Sequence, residues 1–179
     1  PRPLTALKPD VLVAPTFPGA RRSMQPWSID FFRRHLLQGP QRGRRLYIVR
    51  HRRKPSNEAA LIDMLRPHGF EVYRPEQDTQ NQARTFAEAE AVVGAEGSAM
   101  ANLMFCHPGT HVLELLGSDH VMPYYFSVAM AGDLSYACLV GDSAKRRRRN
   151  SFGPSPYDFH VDEALFEQAL GDLVASLPK

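Results

Sequence analysis

From about residue 46 onward, short apolar runs alternate with longer amphipathic stretches. Residues 46–49, 70–73, 91–93, 112–115 and 135–140 are too short for stable helices and are dominated by aliphatic and aromatic side chains, so they predict buried strands. Between them the apolar positions recur at helical spacing. Ile29, Phe32 and Leu36 mark a helix over 26–37, ended by Gly39, Pro40 and Gly43. Asn57 stands where it can cap a helix presenting Leu61, Met64 and Leu65, which Pro67 and Gly69 stop. Thr79 can cap a further helix to about Glu90, with Ala83, Phe86 and Ala87 inward. A short helix over 98–105, one over 123–131 ended by Gly132, and a last one capped by Asp162 complete the series. That last helix should turn Leu165, Phe166, Ala169, Leu170 and Leu173 inward. Residues 1–25 read as an irregular Pro- and Arg-rich lead-in with a short strand at 11–13, and 141–160 as a polar, basic loop.

Strand and helix alternate along residues 26–179, which predicts one α/β domain with a parallel sheet covered on both faces. In such sheets ligands bind at the carboxyl ends of the strands. The polar residues just after each strand are therefore the candidates for chemistry.

Composition narrows this picture only a little. Hydrophobic residues make up 43% of the 179 and charged residues 23%, as in a soluble globular protein. No apolar run approaches the roughly 18 residues of a membrane span, and no secretory leader is evident. The chain starts at Pro1 rather than Met, so natural sequence is expected upstream. The net charge of +3 is mostly concentrated in Lys145, Arg146, Arg147, Arg148 and Arg149. That run is either a solvated loop or a peripheral contact with an anionic membrane surface or polymer. Nucleic acid is not expected, because no aromatic residues interleave with the cations. Two cysteines, Cys106 and Cys138, make no disulfide framework, and a reducing cytoplasm is the expected compartment. No metal set is expected among the seven histidines: His107 and His111 are separated by Pro108-Gly109, which breaks any helix that would align them.

The strand ends carry more information. After the first come Arg50, His51, Arg52, Arg53 and Lys54, just ahead of a helix N-terminus. Guanidinium groups beside free helix amides suit a phosphate or diphosphate, although a solvated basic loop has the same sequence. After the third strand comes Gly94-Ala95-Glu96-Gly97-Ser98, with Asn102 one helical turn beyond. Small residues there let backbone amides approach a phosphate, or Ser98 merely caps the helix. Neither the dinucleotide glycine pattern nor a nucleophile elbow is present. Glu114 interrupts the fourth apolar run. It accepts hydrogen bonds from ribose hydroxyls, or it sits at an edge facing water or an Arg. Tyr124 and Tyr125 open a helix and can stack on a base or pack in the core.

Several of these segments, taken in order, resemble glycosyltransferase family 61, including its bacterial capsule and surface-polysaccharide members. The series is Tyr47-Ile48-Val49-Arg50, Asn57-Glu58, Gly69-Phe70-Glu71-Val72, Pro75-Glu76, Gln82, Phe86-Ala87-Glu88-Ala89, Val92-Val93-Gly94-Ala95-Glu96-Gly97-Ser98-Ala99-Met100-Ala101-Asn102, Phe105, Pro108-Gly109 and Val112-Leu113-Glu114-Leu115. The likeness spans about residues 45–140. It implies a Rossmann-like layer forming the C-terminal, donor-binding half of a GT-B type enzyme, with an acceptor domain outside this chain. The implied reaction is inverting transfer of a sugar from a nucleotide diphosphate sugar to a glycan or polysaccharide. No metal cofactor is implied. Arg50 and Arg53 would hold the diphosphate, Gly97 and Ser98 would line it, Asn102 would brace that turn, and Glu114 would touch the ribose or order the pocket. The family often has His where this chain has Glu96, in a His-Gly-x-x-x-x-Asn pattern. Glu96 then binds sugar hydroxyls, pairs with an Arg, or acts as a catalytic base. Two readings compete: a catalytically silent nucleotide-sugar-binding module, and a basic module for anionic polymer or lipid.

Overall fold

The computed structural model describes residues 24–36, 40, 43–143 and 157–178. The expected strand at 11–13 and the basic run at 145–149 lie outside them. Helix α1 (Pro26–Leu36) leads into β1 (Arg44–Ile48), α2 (Glu58–Leu65), β2 (Phe70–Tyr73), α3 (Gln82–Ala87) and β3 (Ala89–Ala95). A 3-10 helix (Ser98–Phe105) precedes β4 (His111–Gly117), α4 (Tyr124–Ala131), β5 (Ser135–Ser143), β6 (Phe159–His160) and α5 (Glu163–Ala175).

The six strands form one sheet in the order β2-β1-β3-β4-β5-β6. The first five are parallel. The sixth is not: β6 runs antiparallel to the end of β5, pairing Asp142 with His160. The sheet is therefore mixed. Both β6 and the last residues of β5 fall where the sequence predicts only a loop. Gly141 permits this crossing. A Cβ there would lie 2.9 Å from Phe159 Cδ2 and closer still to the His160 carbonyl oxygen.

Period-2 alternation sends the two sides of each strand into separate cores. Tyr47, Val93, Leu113 and Leu115 pack with Leu61 and Leu65 of α2 and with Phe166 and Leu170 of α5. Leu46, Ile48, Val92 and Val112 pack on the other face with Ile29, Phe86, Met100, Leu103 and Val128. The parallel sheet's near-continuous apolar strands follow from being covered twice.

Several local expectations change. Asn57 makes no cap bond. Its Nδ2 donates to the Val161 carbonyl at 2.9 Å and its Oδ1 accepts from the Val161 amide at 3.2 Å, which ties the start of α2 to the strand leading into α5. Helix α3 starts at Gln82 rather than after Thr79, because Pro75–Gln77 first forms a 3-10 turn. Ser98 makes no cap bond either: Gly97 is the N-cap and the following helix is 3-10 throughout. Asp162 does cap α5, accepting from the Leu165 amide, but Leu165 itself is 52% exposed rather than inward.

Candidate functional site

Strand β1 lies between β2 and β3, so the chain leaves β1 toward one edge of the sheet and leaves β3 toward the other. The segment after β1 runs to α2 on one face, and the segment after β3 runs to the 3-10 helix on the opposite face. Their divergence opens a crevice at the carboxyl ends of β1 and β3, the switch point where ligands of doubly wound sheets bind. Arg50 and Arg53 follow β1, while Glu96 and Gly97 follow β3. The topology thus brings these four candidates together.

Glu96 stands between the two cations. Its Oε2 lies 3.9 Å from Arg50 Nη1 and 3.6 Å from Arg53 Nη1. All three side chains are largely shielded from solvent. The Arg50 Nη1 is buried and has no hydrogen-bond partner. Burial, and then the like charge of Arg53, lowers the Arg50 pKa from its ordinary value. The arrangement is that of an anion site: desolvated guanidinium donors, incompletely satisfied by the chain, facing one internal carboxylate. Arg53 holds a left-handed backbone (φ 55°), uncommon for a non-glycine residue.

Gly97 serves this site through its missing side chain. Its φ of 168° is ordinary extended backbone. A Cβ, however, would lie 2.6 Å from Arg50 Nε and closer still to Cζ and Nη1. The Arg50 guanidinium occupies the space a side chain at 97 would fill. Ser98 is exposed at the start of the 3-10 helix. Asn102 points elsewhere, donating to Gln82 Oε1 at 2.9 Å and to the Ala99 carbonyl at 3.1 Å. Gln82 in turn donates to the Pro75 carbonyl at 2.6 Å, so Asn102 braces the 3-10 helix against α3.

The remaining cations of the β1 loop divide. Lys54 pairs with Glu58 at 2.7 Å in the first turn of α2, and the Tyr47 hydroxyl donates to the same carboxylate at 3.3 Å. An acidic group of the chain itself thus stands at the helix end that the sequence offered to phosphate. His51 meets Glu76 at 3.2 Å, and Arg52 is exposed.

Glu114 sits in β4 beside Gly94 of β3 and Cys138 of β5, and it is 0% exposed. This overturns the expectation of an edge position facing water. Oε2 accepts from the Tyr136 hydroxyl, whose ring meets Phe126 edge-on at 5.5 Å. Oε1 is buried without a hydrogen-bond partner. Burial pushes the Glu114 carboxyl up to about 7, a shift that the nearby Glu96 charge reinforces and the Tyr136 bond opposes. Tyr125 lies within electrostatic reach of Glu96, Glu114, Arg50 and Arg53, and its hydroxyl is pushed up to about 12, chiefly by burial.

Beside Glu96 opens a small, half-open cleft. Arg53 and Glu96 form one wall, and Asp119, His120, Tyr157 and Phe159 form the other. Sequence reasoning passed over this second wall, because its residues lie in a turn and in a stretch read as loop. Only the pairing of β6 with β5 places them together.

Among the described residues no three His, Cys, Asp or Glu side chains are grouped to hold a metal ion, and no helix is long and apolar enough to cross a membrane. Cys106 and Cys138 are both free thiols.

No curated protein matches the chain. Residues 7–113 match the family model for glycosyltransferase 61, a span that takes in Arg50, Arg53, Glu96, Gly97, Ser98 and Asn102 and stops one residue short of Glu114. Most of the chain is covered by that match, and the switch-point crevice lies within it: the chain belongs to glycosyltransferase family 61.

Proposed function

We propose that this chain is the donor-binding layer of an inverting glycosyltransferase of the GT-B type, acting on a nucleotide diphosphate sugar. The observation that carries the reading is the convergence of Arg50 and Arg53 on one point of the switch-point crevice. Family membership supplies the general chemistry, a sugar donor and a glycan acceptor.

In this reading the diphosphate enters between the guanidiniums of Arg50 and Arg53 and displaces Glu96 from them. An acceptor hydroxyl attacks the anomeric carbon from the face opposite the diphosphate. As the new C–O bond forms, the bond to the phosphate oxygen breaks and the electron pair leaves with the nucleoside diphosphate. The two guanidiniums stabilise that developing charge, a role that needs no metal ion. Glu96, freed from its partners, stands beside the sugar to bind its hydroxyls or to accept the acceptor's proton. Glu114 and Tyr136 order the floor of the pocket. The acceptor domain lies outside this chain, the acceptor is a bacterial surface polysaccharide, and the setting is cytoplasmic at the inner membrane, with residues 145–149 as the peripheral contact.

Calorimetric titration with a panel of nucleoside diphosphates, with and without magnesium, tests the proposal. The expected result is micromolar, metal-independent binding of one of them. Arg50→Ala should weaken it by about 1.5–3 kcal/mol, the range for hydrogen bonds to charged groups. Undiminished binding by that variant would remove Arg50 from the site.

A further inference from the structure

The carboxylate of Glu96 does not fill the place it occupies. Its Oε2 lies 3.9 Å from Arg50 Nη1 and 3.6 Å from Arg53 Nη1, distances of ion pairing rather than of hydrogen bonding. Arg50 Nη1 stays buried and without a hydrogen-bond partner. A phosphate group carries more acceptor oxygens than a carboxylate, so an anion seated there reaches groups that Glu96 leaves alone. The phenol of Tyr125 is such a group, and it arrives from a different element. In a parallel sheet the helix after β4 begins at the carboxyl end of the strands. Helix α4 packs against the 3-10 helix that follows β3, on the face of the sheet formed by Ile48, Val92 and Val112. Gly94 faces the same way, since a Cβ there would lie 2.9 Å from Ile48 Cβ, and Glu114 is its partner in register. Val128 and Ala129 anchor α4 in that core. Tyr125, one turn earlier, packs against the core but is only partly buried.

The hydroxyls of Tyr47, Tyr73 and Tyr136 each donate to a carboxylate of the chain. The Tyr125 hydroxyl lies among Glu96, Glu114, Arg50 and Arg53, with Glu96 acting on it most strongly of the four, yet it makes no hydrogen bond to a described residue. We propose that Tyr125 is a third donor of the anion site, its hydroxyl donating to an oxygen of the diphosphate held by Arg50 and Arg53. The proposal rests on the diphosphate reading above. The incoming anion takes the position of the Glu96 carboxylate between the arginines, and that carboxylate is the charge with most effect on the phenol. Hydrogen bonds to an ionised acceptor are the strong ones, and a neutral donor adds one without adding to the repulsion between two neighbouring cations. With its titration pushed up to about 12, the phenol keeps its proton to donate at neutral pH.

The test compares wild type with Tyr125→Phe, which removes the hydroxyl and keeps the ring, and with Tyr125→Leu, which removes the ring. Each is titrated calorimetrically with UDP, GDP, ADP and CDP, beside Arg50→Ala. For the nucleotide that wild type binds, Tyr125→Phe should lose about tenfold in affinity, the lower end of the range for hydrogen bonds to charged groups, with its melting temperature unchanged. Full affinity in Tyr125→Phe overturns the proposal. If Tyr125→Leu alone then binds weakly, the ring acts by stacking on the base. Should Arg50→Ala lose affinity while Tyr125→Phe does not, the diphosphate reading stands and only the role of Tyr125 falls. Inorganic pyrophosphate, transparent in the near ultraviolet, gives a second readout. Its addition to wild type should produce a tyrosine difference spectrum that is absent from Tyr125→Phe, and the same spectrum in both overturns the proposal. If no nucleoside diphosphate binds wild type, the diphosphate reading fails. The pyrophosphate spectrum then decides alone: a signal that needs the Tyr125 hydroxyl supports its donor role, and no signal overturns it.

Discussion

The guanidinium of Arg50 lies in the space that a side chain at residue 97 would occupy. Two segments from opposite faces of the sheet thus meet with no slack, and the glycine is there for room rather than for backbone freedom. Gly97→Ala should displace Arg50 without strain of its own at φ 168°. The variant should fold, with a far-UV spectrum like wild type, and lose diphosphate affinity about as severely as Arg50→Ala. Full affinity in Gly97→Ala would show that the guanidinium can bind from another position.

Glu96 offsets the charge of the two arginines that surround it. Glu96→Gln should tighten binding of a bare nucleoside diphosphate by on the order of 1 kcal/mol, the upper part of the range for partly exposed ion pairs. In an enzyme restored to full length, the same change should lower kcat while KM for the donor falls or holds. A variant with weaker diphosphate binding would mean that Glu96 orients the arginines rather than competing with their ligand.

Glu114 gives the fold a pH dependence of unusual sign. Its carboxyl titrates near 7 when buried and near 4.5 when exposed. Between those values the folded state holds a proton that the unfolded chain has released, so this group's contribution to stability is greatest below 4.5 and is lost as pH rises toward 7. The total is on the order of 3 kcal/mol. Denaturant titrations of wild type and Glu114→Gln should agree best below pH 4.5, with the variant gaining relative stability up to about pH 7 and little beyond. Parallel curves across that window would show that Glu114 ionises freely in the folded state.

Asn57 mimics a strand partner for Val161, pairing with both its amide and its carbonyl. Val161 is fully buried, so Asn57→Ala strands two polar groups and should cost about 2–3 kcal/mol in urea denaturation. Asn57→Ser separates this from capping. Serine is a good N-cap but too short to pair with Val161, so it should not restore stability. Rescue by serine would return Asn57 to the capping role that its position in the sequence suggests.

The sequence by itself determined that the domain is α/β with doubly covered strands, because period-2 and helical apolar spacing are local properties and burial on both faces leaves continuous apolar runs. It also marked the segments after the first and third strands as candidates for chemistry, since ligands of parallel sheets bind at strand carboxyl ends and guanidiniums and small residues there suit an anion. What it could not contain is which of those groups meet. Glu114 reads alike at an edge or in the interior; only its place between β3 and β5 encloses it. Ser98 and Asn57 both read as caps, but the first makes no cap bond and the second is drawn to a backbone 104 residues away. The cleft wall of Asp119, His120, Tyr157 and Phe159 carries no periodic signal at all. It exists because an antiparallel sixth strand closes against Gly141, and such non-local pairing is set by the packing of the whole sheet rather than by any stretch of the chain.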